Sequence, residues 1–326
     1  MPASASEHHL MTTKQRSAGS IQRLTNWLKG PTEAKIHSIL VRLVFFAKKF
    51  DSERIRGTYF EALDPNQEFS ISARGREKFV VIHADKGISK VVFVKGAFDF
   101  NKVEKAIFIL RSINKNFKLD TLIDVGANIG TVCIPAVKRG IAAKAIAIEP
   151  EPLNYRVLVA NVFLNDLADK IRTYNLALGN ENNQSLEIEL SPSNSGDHRI
   201  HVRNESAAAP AGKTTLVRSE TFDSIIPAAD KNSSLIWMDT QGYEGIILQG
   251  ARKATRAQVP TVIEFWPSGM KAMHSYPALK DAMMDFNEYY DLSEDDPRPV
   301  KLSLSNIDVL YEKLSENDRW TDILMV

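Results

Sequence analysis

From Thr121 onward the chain alternates short, uninterrupted apolar runs with amphipathic stretches. Thr121-Leu122-Ile123-Asp124-Val125, Lys144-Ala145-Ile146-Ala147-Ile148-Glu149, residues 171–178, Leu235-Ile236-Trp237-Met238-Asp239 and Thr261-Val262-Ile263-Glu264-Phe265 read as five strands. Runs without polar alternation mark strands covered on both faces. Amphipathic segments through Arg139, from about Pro152 to Asn165 and from near Tyr243 read as the helices between them. This alternation predicts a mostly parallel sheet, and right-handed crossovers make the fold doubly wound and Rossmann-like. Beyond it the pattern predicts a helix over 276–287, a strand Tyr289-Tyr290-Asp291-Leu292, a helix near 306–315 and a final strand over 321–326.

The first third has a different pattern. Residues 1–20 are polar and read as an arm without fixed structure, and 21–56 read as amphipathic helices turning at Gly30-Pro31. Between Tyr59 and Val94, runs such as Phe79-Val80-Val81-Ile82 and Val91-Val92-Phe93-Val94 predict a small antiparallel cap, with a helix after it over 102–116. The division is thus an arm (1–20), a helical and β extension (21–116) and an α/β domain (117–326). Residues 180–234 interrupt that domain with Leu186-Glu187-Ile188-Glu189-Leu190, a Ser/Asn/Gly turn at 191–196, an Ala/Pro/Gly stretch at 207–212 and Thr214-Thr215-Leu216-Val217. An insertion of this length beside the binding edge suits a lid or substrate element better than a plain connection.

Composition narrows the class. With 41 Lys and Arg against 40 Asp and Glu, the chain has no general basic excess, so nucleic acid is not the expected partner. The excess is local: through Arg56 ten basic residues face four acids. That suits a solvated helical face, or peripheral docking on an anionic membrane. One cysteine, Cys133, excludes an intramolecular disulfide and a Cys-rich zinc site and fits a reducing, cytoplasmic compartment. Within Thr131-Val132-Cys133-Ile134 it reads as a small buried hydrophobe. No apolar run approaches the roughly 20 residues of a membrane helix.

The strongest chemical signal is Asp124-Val125-Gly126-Ala127-Asn128-Ile129-Gly130, between a strand and a helix. Gly126 allows a sharp turn and a close backbone approach, and Gly130 allows the helix to pack on the sheet. A dinucleotide turn needs a middle glycine, so that a pyrophosphate can sit on the helix N-terminus. Here that position is Asn128, and Asp124 ends the strand. A carboxylate there repels phosphate and attracts a cationic sulfonium, which points to S-adenosylmethionine, with S-adenosylhomocysteine as product. Glu149-Pro150 closes the second strand, where an acid accepts hydrogen bonds from adenosine ribose hydroxyls.

These segments, together with Trp237-Met238-Asp239-Thr240-Gln241-Gly242-Tyr243-Glu244 and Gly250-Ala251, resemble the FkbM-type methyltransferases. Asn161, Asn165, Ala177-Leu178-Gly179 and Thr221-Phe222-Asp223 also sit where that family tends to place such residues. The resemblance covers roughly residues 90–326. It implies a class I methyltransferase fold and an S-adenosylmethionine-dependent enzyme, in most described cases methylating a hydroxyl of a sugar or secondary metabolite. The expected cofactor residues are Asp124, Gly126, Ala127, Asn128, Gly130, Glu149, Pro150 and Ala177.

For catalysis the candidates are Asp239, Glu264 and His198. Asp239 and Glu264 end strands at the crevice, where either carboxylate suits a general base; Asp239 suits a helix N-cap equally well. Glu244 suits the first helical turn. His198 and Arg199, in the insertion, suit a base and an anion anchor, and Trp266 suits a pocket wall or plain packing. A divalent metal is compatible with these side chains, but no ligand spacing demands one. The leading expectation is O-methylation of a small-molecule or glycan hydroxyl. The alternatives are an N-methyltransferase, another S-adenosylmethionine-binding protein, an NAD-dependent oxidoreductase disfavoured by Asn128, and a non-catalytic scaffold.

Overall fold

The computed structural model describes residues 53–63, 67–201, 212–226 and 229–326. The expectations for 1–20, for the turn at Gly30-Pro31 and for most of 21–56 and 207–212 fall outside these. The chain divides into two compact units, residues 1–59 and 60–326.

The second unit opens with a hairpin, β1 (Phe69–Ser72) antiparallel to β2 (Phe79–Ile82). The second apolar run of the expected cap, Val91-Val92-Phe93-Val94, is not a strand. It lies in helix α1 (Ile88–Lys95). An apolar run of four suits either element, and the flanks decide it. Asp85 accepts hydrogen bonds from the amides of Gly87, just ahead of the helix, and Ser89, in its first turn, and Gly96 closes it in a left-handed conformation at φ 85°. Helix α2 (Phe100–Ile113) leads into the domain, burying Val103, Ala106, Ile107 and Leu110 at helical spacing.

The central sheet begins with β3 (Thr121–Val125), α3 (Cys133–Lys138), β4 (Lys144–Ile148), α4 (Pro152–Leu164) and β5 (Ile171–Tyr174). The insertion supplies a second, four-stranded sheet from β6 (Ala177–Gly179), β7 (Gln184–Glu189), β8 (Arg199–His201) and β9 (Thr214–Thr221), in the order β6-β9-β7-β8. The chain then returns through β10 (Ser234–Met238), α5 (Glu244–Gln249), β11 (Thr261–Phe265), β12 (Glu288–Asp291), β13 (Val300–Lys301) and β14 (Thr321–Met325). The large sheet has the order β13-β12-β14-β11-β10-β3-β4-β5. β5, β4, β3, β10 and β11 are parallel; β14 pairs antiparallel with both β11 and β12, and β13 closes that edge antiparallel to β12. The doubly wound, mostly parallel α/β architecture is the one the sequence predicts.

Residues 171–178, expected as one strand, serve two sheets. The break is at Asn175, whose amide donates to the carbonyls of Glu149 and Pro150 at 3.0 Å each, pulling the chain away from the ladder. Alternate residues of each strand feed two cores. Leu122, Trp237, Val262 and Leu324 lie on one face, and Ile123, Ile236, Ile263 and Ile323 on the other. Asn161 of α4 and Asn165, which caps its C-terminus, do not reach the crevice. Their side chains hydrogen-bond the backbone of Val80 and Lys78, covering the free edge of β2 as a neighbouring strand would.

Candidate active site

β3 lies between β4 and β10, so connections leave it in opposite directions and a crevice opens at its carboxyl end. The space there, including its open mouth, is about 720 Å³. Gly126, Asn128, Glu149, Pro150 and Ala177 line it, and Ile148 and Leu176 add apolar surface. Asp239, Thr240, Gln241, His198 and Arg199 complete the wall.

Gly126 has φ 82°, and a Cβ there would lie 2.0 Å from the Asp239 carbonyl oxygen. The β3 turn and the end of β10 therefore meet backbone to backbone, joined by Asp239 N–H donating to Val125 O at 3.1 Å. Gly130, at φ 93°, lies under Ile134 and Leu158 and brings α3 and α4 against the sheet. Asn128 takes the left-handed φ of 48° that asparagine tolerates. Its backbone N–H donates to Glu149 Oε2 at 2.8 Å, and its side-chain amide donates to Ser195 O at 2.9 Å.

Asp124 is not placed as the sequence reading expects. It is buried and absent from the crevice wall, and its Oδ2 accepts the N–H of Cys133 at 3.0 Å, holding the start of α3. Burial pushes its pKa up to about 7. Ala127 is likewise packed in the core, as is Cys133. Glu149 does face the crevice. Burial raises its pKa to about 8, against the N–H groups of Glu151 and Asn128 that favour the ionised form. Glu244 is buried too: its Oε1 accepts from the backbone and hydroxyl of Thr240, while Oε2 has no partner. Burial raises its pKa to about 7.

At the mouth, Asp239 and Gln241 line the crevice, and Glu264 stands behind them outside the wall; Gln241 Nε2 donates to Asp239 Oδ1 at 3.0 Å and to Glu264 Oε2 at 3.2 Å. One amide thus ties two carboxylates together. Asp239 remains in contact with solvent, yet the surrounding protein and the Asp322 carboxylate push its pKa up to about 6. Glu264 is raised further, by burial and by the charges of Asp239 and Glu244. Each carboxylate disfavours ionisation of the other, and the stronger upward push falls on Glu264.

His198 lines the same wall, but its Nδ1 accepts the N–H of Ser191 at 3.0 Å. The proton then resides on Nε2, so the ring is placed to donate rather than to act as base. Burial lowers its pKa. Arg199 pairs with Asp197 and lies 4.5 Å from the centre of the Trp266 ring, carrying the insertion across to the strand-end of β11. Asp85 and Ser195 carry no signal in the sequence. Ser195 Oγ donates to Asp85 Oδ2 at 2.7 Å across 110 positions, tying the insertion to the start of α1. Among the described residues no cluster of three or more metal-ligating side chains occurs.

The profile of the methyltransferase FkbM domain matches residues 124–289, more than half of the chain. The chain belongs to the FkbM methyltransferase family. Such a domain is a transferase whose cofactor is S-adenosylmethionine. The crevice offers groups that fit it: Glu149 at the end of β4, the apolar Ile148 and Leu176 beside it, and the Asp239 carboxylate at the mouth. A curated relative, tRNA(Phe) (4-demethylwyosine(37)-C(7)) aminocarboxypropyltransferase of Pyrococcus horikoshii, is 30% identical over 98 residues. That match covers 30% of this chain and 34% of the relative, so the chain spans about a third of the length of that protein. Among solved structures, the FkbM methyltransferase of Methylobacillus flagellatus KT aligns at 16% identity and a TM-score of 0.38, over 74% of this chain and 48% of that one. P. horikoshii TYW2 in complex with MeSAdo aligns at 12% identity and 0.39, over 86% and 83%. No helix among the described residues is long and apolar enough to cross a membrane.

Proposed function

We propose that this FkbM-family chain methylates a hydroxyl of a small-molecule or glycan acceptor. The observation that carries the reading is the Asp239–Gln241 pair at the crevice mouth, backed by Glu264 through the Gln241 amide. Bound there, S-adenosylmethionine supplies an already activated methyl group. A hydroxyl that accepts it must lose a proton, and the chain's own groups are arranged for that. Asp239 faces the space where the acceptor enters, Gln241 fixes its orientation, and Glu264, whose pKa burial and neighbouring acids raise further, lies behind it. Orientation of the acceptor oxygen supplies much of the remaining rate. Asn128, Glu149 and Ala177 hold the adenosine side, and Arg199 stacked on Trp266 restricts water at the mouth.

The relative's tRNA is not carried over. Lys and Arg match Asp and Glu almost one for one, so the chain as a whole offers no basic surface for a phosphate backbone. The test has two stages. Calorimetry with S-adenosylhomocysteine checks the cofactor site. Release of S-adenosylhomocysteine is then measured over panels of sugar hydroxyls, phenols and amines. Turnover confined to amines would overturn the hydroxyl assignment, and absence of cofactor binding by folded protein would overturn the whole reading.

A further inference from the structure

The carboxylate pair continues into the sheet. β14 runs antiparallel to β11 with Asp322 directly opposite Glu264, so the two side chains share one face of adjacent strands. Like charges in that arrangement repel. Asp322 is nearly buried, and its Oδ2 meets Lys102 Nζ at 2.6 Å; the same ammonium holds Asp99 at 3.0 Å. Lys102 lies in the first turn of α2, where the helix dipole disfavours a cation. The two acids keep it there, and they hold its pKa above the usual lysine value despite its burial.

We propose that the Lys102–Asp322 pair positions the Asp239–Glu264 carboxylates electrostatically, the Lys102 ammonium neutralising Asp322 beside Glu264 so that Asp239 is free to accept a proton. The inference rests on the reading of Asp239 as the base. Lys102 and Asp322 both fall outside the matched span of 124–289. They are positioning residues, acting through the dyad and touching no reactant. The charges that face the dyad come from every packed element. They are Asp124 from β3, Glu244 from α5, Asp322 from β14, and Asp99 with Lys102 from the start of α2. Four of these five are acids, and Lys102 supplies the opposing charge.

Carboxyl 13C NMR on the full chain tests this without an acceptor, with the Asp239 and Glu264 signals assigned from Asp239→Asn and Glu264→Gln. Lys102→Met should move both titration midpoints upward by about half to one pH unit, the size expected for a charge several ångströms away in partly screened surroundings. Asp322→Asn should move them downward. The double variant should return close to wild type, and Lys102→Arg should leave the midpoints in place. A purely structural role would change thermal stability without shifts of opposite sign. If Lys102→Met fails to fold, Asp322→Asn and Lys102→Arg carry the comparison. Midpoints that stay put, or move in the same direction in both single variants, would overturn the proposal. Calorimetry with S-adenosylhomocysteine on the same samples separates the failures. Loss of cofactor binding with opposed shifts overturns the functional reading alone; intact binding without shifts overturns the coupling alone.

Discussion

Gly126→Ala tests whether the crevice depends on backbone contact between β3 and β10. A methyl group at residue 126 would lie 2.0 Å from the carbonyl oxygen of Asp239, so one segment must retreat by more than about 1 Å. Overpacking of this kind costs about 1–3 kcal/mol, and alanine at φ 82° adds about 1–2 kcal/mol. Gly140→Ala is the internal control. Gly140 has φ 71° with nothing within 4 Å of a Cβ, so that variant bears the backbone term alone. Gly126→Ala should therefore lose about 2–5 kcal/mol and roughly 5–15 °C in Tm, and Gly140→Ala about 1–2 kcal/mol. Because the displaced oxygen belongs to Asp239, calorimetry should also show S-adenosylhomocysteine affinity falling at least about tenfold for Gly126→Ala, a change of about 1.4 kcal/mol. For Gly140→Ala the affinity should be unchanged. Equal stability and affinity in the two variants would refute the reasoning.

Further expectations concern charge. Asp239→Asn should lower methyl transfer by about a hundredfold or more while S-adenosylhomocysteine binds within a few-fold of wild type; wild-type turnover should rise with pH through about 6, as Asp239 ionises, and a flat profile would argue against it. Asp124, Glu149 and Glu244 have folded-state pKa values raised to about 7, 8 and 7. Their contribution to stability is complete below about pH 4 and is lost as pH climbs through 7–8, so the ligand-free Tm should fall between pH 5 and 8, less steeply in Asp124→Asn. A Tm that rises over that window would contradict the burial account. Arg199→Ala removes the contact with Trp266, worth about 0.5–1 kcal/mol, and should speed S-adenosylhomocysteine dissociation several-fold in stopped-flow traces. An unchanged rate would show that this contact does not bar the exit.

The sheet is legible in the sequence because β3, β4, β10 and β11 announce themselves as continuous apolar runs bounded by turn residues. So are the turn at Gly126 and the acids at 149, 239 and 264, because their places at strand ends come from local pattern alone. Val91–Val94 misleads because four apolar residues fit either period, and the deciding groups, Asp85 and Gly96, lie outside the run. Charge alone points Asp124 toward the ligand, whereas its carboxylate holds the amide of Cys133. Ser195, Asp85, Lys102 and Asp322 are invisible to a local reading, since each gains its role from a partner far along the chain or across the sheet.

The placing of β14 has a consequence for how the molecule assembles. It lies between β11 and β12, although it is synthesised after both. During synthesis β12 and β13 have no strand of the parallel sheet to join, and β11 presents a bare edge. The ladder can close only when β14 enters at an interior place. Until then a nascent chain exposes two pairing edges, each open to strands of other molecules. Substitutions in β14 should therefore lower yield and raise aggregation in addition to their cost in the closed fold, where Ile323, Leu324 and Met325 are fully buried.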